Sequence, residues 1–140
     1  MFDIFKKNKS DQKKDDNLYI NIGALLIHVA KIDENYSEQE KNIIKKTLLE
    51  LGLSNQDLDN VFKKSEEIEK NSNQILEFTK EVKNMEENDK IKIVETLWRI
   101  IYSNNEADIY ETSLMRRLGG LLYIDSKLMG DIKEKIKNKI

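Results

Sequence analysis

Two stretches of this chain follow the same pattern 71 positions apart, Leu26 to Glu40 and Leu97 to Glu111. Each reads as the end of an apolar helix, a short polar and acidic elbow, and the start of another helix. Laid on one another without a gap, Val29 meets Ile100, Asp33 meets Asn104, Ser37 meets Asp108 and Glu40 meets Glu111. The register continues through Ile43/Leu114, Ile44/Met115, Leu51/Leu122, Leu53/Ile124, Leu58/Met129 and Val61/Ile132. Apolar positions fall on apolar ones and caps on caps, which reads as an internal duplication of helix, elbow, helix, turn, helix. A chain built this way has little room for any class but all-α.

Punctuation supports that class. There is no proline and there are only five glycines, while alternating strands need turn residues at close intervals. A length of 140 residues allows one domain with a real hydrophobic core. From Leu18 the positions Ile22, Leu25, Leu26, Val29 and Ile32 keep helical spacing and predict a first helix. Ser37 three before Glu40 is a capping box opening a second helix with Ile43, Ile44, Leu48 and Leu51, and Gly52 is its stop. Ser54 with Asp57 starts a third, carrying Leu58, Val61, Phe62 and Ile68. The break at Asn71 to Asn73 precedes a fourth, with Ile75, Leu76, Thr79 and Val82.

A fifth helix begins at Asn88 or Asp89 and buries Ile91, Val94, Leu97, Trp98 and Ile101. Asp108, three before Glu111, caps a sixth with Leu114, Met115, Leu118, Leu121 and Leu122. A seventh starts near Asp125 with Leu128, Met129, Ile132 and Ile136, its polar side rich in lysine. The expectation is a single-domain bundle of about seven helices containing a duplicated three-helix unit. Residues 1–17 read as a flexible polar leader, and 18–140 as the helical domain.

Several function classes fall away on composition. A net charge of −2 argues against nucleic acid, which calls for a basic face. Without cysteine there is no disulfide framework, thiolate nucleophile or zinc–thiolate site. No stretch approaches the ~20 uninterrupted apolar residues that span a bilayer. The N-terminus places Phe2, Ile4 and Phe5 before its lysines, the reverse of a signal peptide, and these few residues could only touch an anionic membrane surface. His28, the sole histidine, lies off the main apolar stripe and reads as a surface or half-buried residue, with no nucleophile beside it. Gly119-Gly120 do not form a phosphate-loop pattern and are expected to admit a neighbouring helix. Trp98 and Tyr102 read as core and elbow packing, and Arg116-Arg117 with the last helix as a mildly basic patch.

Polar groups concentrate at corresponding positions only in the elbows. Asp33, Glu34, Asn35 and Glu40 cluster in the first, and Asn104, Asn105, Glu106, Asp108 and Glu111 in the second. Carboxylates and amides without imidazole or thiolate suit a hard cation: calcium, magnesium or manganese. The loops are not EF-hands. Counted from Asp33, the sixth place holds Glu38 instead of glycine and the twelfth Ile44 instead of glutamate. Ser37/Glu40 and Asp108/Glu111 are equally explained as capping boxes, each cap worth about 0.5–2 kcal/mol. Both duties stay open, and Asp33 and Glu106, which no cap requires, are the expected direct ligands.

The doubled elbow resembles the tellurite-resistance TerB family and the wider TerB-like domains. The family pattern is a helix end, an Asp-Gly elbow and a glutamate seven after the aspartate, repeated near the C-terminus. Asp33 to Glu40 and Asn104 to Glu111 match it over roughly residues 18 to 138. Glu34 and Asn105 stand where the family has glycine, and Asn104 where it favours aspartate. The resemblance implies a seven-helix, cytoplasmic bacterial protein, with possible peripheral association at the inner membrane face and acidic residues that hold divalent cations. The function expected is a non-enzymatic stress-response domain binding a protein partner. The site would comprise Asp33, Glu34, Glu40, Asn104, Glu106, Asp108 and Glu111. A small carboxylate- and metal-dependent hydrolase, or a purely structural interaction module, are the alternatives.

Overall fold

A computed structural model describes the backbone of residues 2–32, 36–72, 75–103 and 109–139, with side chains from residue 16 onward except 109 and 110. The described residues form seven helices and no strand: α1 (Phe2–Ala30), α2 (Glu38–Glu50), α3 (Asn55–Asn71), α4 (Ile75–Val82), α5 (Glu87–Tyr102), α6 (Ile109–Leu121) and α7 (Ser126–Lys139). From Leu18 onward each follows the apolar spacing of the sequence. The first starts at Phe2, well ahead of Leu18, because no proline or glycine between Phe2 and Asn21 stops a helix from running on.

Two helices form the centre. In α1, Ile22, Ala24, Leu25, Leu26 and Ile27 are all fully buried, so that segment is apolar around its whole circumference, as an enclosed helix must be. It is packed against α2, α3, α4 and α5. In α5, Ile93, Val94, Leu97, Trp98, Ile100 and Ile101 are buried while Glu95 and Arg99 keep one polar edge, and α5 packs against α1, α2 and α7. α6 lies against α7. Between α2 and α5 the hydroxyls of Thr47 and Thr96 sit 2.8 Å apart in the core, and each also reaches the carbonyl one turn back on its own helix.

α1 approaches α3 closely because Gly23 has no side chain. A Cβ there would collide with Ser65, whose hydroxyl contacts the carbonyls of Ile20 and Val61 at 3.0 and 2.9 Å. Gly119 likewise admits Met129, whose Cγ would lie 3.0 Å from an added Cβ. Gly120 departs from the sequence expectation: a Cβ there would meet nothing within 4 Å, so no neighbouring helix requires this glycine. No helix among the described residues is long and apolar enough to cross a membrane.

Candidate functional site

The first elbow begins where α1 closes with tight bonds from Lys31 N to Ile27 O and from Ile32 N to Val29 O. It ends at a complete capping box. The Ser37 hydroxyl accepts from Glu40 N at 3.2 Å, and Glu40 Oε1 accepts from Ser37 N at 3.0 Å. Glu40 is nevertheless only 2% exposed, unusual for a capping carboxylate at a helix start. Glu111, at the matching place in the second elbow, is 5% exposed. Two acids 71 residues apart are therefore both buried at the inner edge of an elbow. Asp33, Glu34, Asn104, Glu106 and Asp108 lie outside the described residues, as does the second capping box. Among the described residues no three acidic or imidazole groups converge as a metal site.

What surrounds the first elbow comes largely from α3. Glu69, buried, accepts from Lys31 Nζ at 2.8 Å and lies 3.6 Å from His28 Nδ1, a contact that becomes an ion pair only when the imidazole is protonated. His28 is half-buried, as its off-stripe position implies, and its ring is tilted against Phe78. Glu66 accepts from the Tyr36 hydroxyl at 3.3 Å. Burial, reinforced by the charge and hydrogen bond of Glu66 and by Glu69 and Glu38, pushes the Tyr36 phenol well above its ordinary value, so it remains a neutral donor. The Lys31 and Lys41 ammonium groups stand 5.8 and 5.0 Å from the Tyr36 ring centre. The described flanks of the elbow, Lys31 and Tyr36, thus sit in a web of alternating charge, with carboxylates from α2 and α3 interleaved with lysines.

Glu66 and Glu69 escaped the sequence reading, although Glu69 carried a signal. Val61, Ser65 and Glu69 recur every four residues along the buried stripe, and a carboxylate on such a stripe needs a partner. Lys90 gave the same kind of signal, one turn ahead of Val94 on the apolar face of α5. It is 8% exposed and donates to Leu122 O at 3.0 Å and Lys83 O at 3.3 Å. Its charge thereby closes the carbonyl ends of two helical segments.

A third feature lies at the α4 end and the α6–α7 turn. Leu76 and Tyr123 are 51% and 68% exposed and line a shallow recess with Lys80 and Lys83, the Lys83 ammonium 5.7 Å from the Tyr123 ring. Tyr123 holds a left-handed backbone angle, φ 59°, where a β-carbon is costly and glycine is the usual choice.

A family model described as Tellurite resistance protein TerB matches residues 19–134. No curated protein and no solved structure matches the chain.

Proposed function

The chain belongs to the TerB family, and from that premise we propose that it is a non-enzymatic stress-response domain whose two acidic elbows bind a divalent cation and whose surface engages a protein partner. The observation that carries this reading is the paired burial of Glu40 and Glu111 at equivalent places of the two elbows. A buried carboxylate is retained where hydrogen-bonding or cationic groups surround it, and both elbows place one at the same position beside further acidic residues of the sequence. Hard oxygen donors without imidazole or thiolate suit calcium, magnesium or manganese, with Asp33 and Glu106 as the direct ligands. The partner would meet the recess of Leu76 and Tyr123, where exposed apolar area is flanked by Lys80 and Lys83.

Calorimetric titration with each cation, paired with thermal melts of wild type, Asp33→Asn and Glu106→Gln, tests the cation half. Saturable heat and a raised Tm in wild type, both lost in the variants, are expected. Absence of heat and of any Tm shift at millimolar cation would leave the elbows as helix caps and sink the proposal.

A further inference from the structure

A cleft of about 390 Å³ opens between α6 and α7 over Trp98 of α5, a volume suited to a small organic ligand. Its apolar lining includes Trp98, Met115 and Met129, and Arg116 and Lys133 bring charge to it. The corresponding place in the first unit is filled differently. In the first unit Phe62 is buried in the core, and Lys45 Nζ stands 4.9 Å from its ring centre. Moving 71 positions on, Phe62 becomes Lys133 and Lys45 becomes Arg116. By the same step Leu49 becomes Gly120 and Asp59 becomes Gly130. Phe62 and one leucine have no counterpart there, two cations and two glycines line the gap, and Trp98 stands where the first unit has Ile27.

Neither Gly120 nor Gly130 has a packing reason, since a Cβ at either would meet nothing within 4 Å. A glycine inside a helix costs about 1 kcal/mol relative to alanine, and here the only thing gained is open space. The cations are also uncommitted: among the described residues no carboxylate pairs with Arg116 or Lys133, and Lys133 makes only a contact 5.4 Å from the Trp98 ring centre. In the same wall, Trp98 is 3% exposed and its indole N–H is buried with no acceptor among the described residues. The side of the indole that meets the cleft is therefore its ring, over which the Lys133 ammonium stands.

We propose that this cleft binds a small organic carboxylate with an aromatic body. The body takes the space that Phe62 fills in the first unit. The carboxylate pairs with Arg116 and Lys133, and the aromatic body lies beside the Trp98 ring. This site is separate from the elbows and does not depend on cation binding there.

Trp98 is the only tryptophan, so its fluorescence reports on the cleft directly. The probe is 3-phenylpropionate, with the uncharged 3-phenylpropanol as control. Saturable change in Trp98 emission is expected with the acid, and affinity at least about tenfold weaker with the alcohol. Arg116→Gln and Lys133→Gln should each weaken the acid about tenfold and leave the alcohol unchanged. The double variant Gly120→Leu/Lys133→Phe, which restores the first unit's filling, should raise Tm and abolish binding. Gly130→Ala should also raise Tm while weakening the acid. Equal affinity for acid and alcohol, no saturable change at about 10 mM acid, or a filled variant that binds like wild type would each overturn the proposal. So would emission that depends on protein concentration and ignores the acid, because the occupant would then be a second copy of this chain.

Discussion

The two units close their middle helices with the same backbone pattern and different side chains. At the end of α2, Leu53 N bonds Leu48 O and Gly52 N bonds Leu49 O, both at 3.0 Å. At the end of α6, Ile124 N bonds Gly119 O at 2.9 Å and Tyr123 N bonds Gly120 O at 3.3 Å. In each unit the next free carbonyl is capped from the central helix. Tyr19 donates its hydroxyl to Leu51 O at 2.9 Å, and Lys90 donates its ammonium to Leu122 O at 3.0 Å. Tyr19 and Lys90 are themselves 71 positions apart, like the carbonyls they serve.

The donors explain their neighbours. A Cβ on Gly52 would come within 2.8 Å of the Tyr19 hydroxyl, so the rigid phenol needs glycine beside it. The long, flexible lysine has no such need, and Tyr123 occupies the equivalent left-handed position with its ring in solvent. The hydrogen-bond pattern is held constant while chemistry and backbone angle change: a neutral cap with a glycine at φ 119° in one half, a cationic cap with an exposed tyrosine at φ 59° in the other.

That contrast can be broken most severely at Gly23. Its counterpart is Val94, and Ser65 faces it where Ile136 stands in the second unit. Gly23→Val should cost about 3 kcal/mol in urea denaturation by forcing α1 away from α3. Adding Ser65→Ile to this variant, which imports the other unit's apolar pair, should not recover the loss, because the closer approach of α1 and α3 leaves no room for both side chains. Full recovery would show that the two helix pairs are interchangeable.

The caps offer the next largest effect. Lys90→Met removes a charged donor from two carbonyls and should destabilise by about 2 kcal/mol, whereas Tyr19→Phe, which loses one neutral bond, should cost about 1 kcal/mol. Equal losses would mean that the charge adds nothing to the cap. Smallest is the left-handed position. Tyr123→Gly should stabilise by about 0.5–1 kcal/mol, while Gly52→Ala destabilises by about 1–2 kcal/mol and also disturbs the Tyr19 cap. Opposite signs are expected in the thermal melts, and matching signs would show that both positions tolerate a side chain equally.

The helices were legible in the sequence because their stripes are long and their starts are capped. Ser37 with Glu40 and Ser54 with Asp57 open α2 and α3 as their spacing predicts. Gly52 marks its turn for the same local reason, and Tyr123 hides an equivalent turn behind a side chain that glycine rules do not recognise. The web around the first elbow was not legible, since Glu66 lies 30 residues from Tyr36 and Glu69 lies 38 from Lys31, and they meet only through the packing of α3 on α1. The cleft was hidden for a different reason. Gly119 and Gly120 were readable only as close-approach residues, Gly130 gave no signal in the sequence, and only the space around Gly120 and Gly130 distinguishes a tight contact from an opening.

The apolar circumference of α1 bears on how such a chain can exist in pieces. The run Ile22 to Ile27 is enclosed by helices of both halves, including α5. A fragment ending after α4 would therefore present part of that run to water, and it could cover the patch only by pairing with another molecule. Joining both units in one polypeptide turns that encounter into an intramolecular event at high effective concentration, so stability no longer depends on how dilute the protein is.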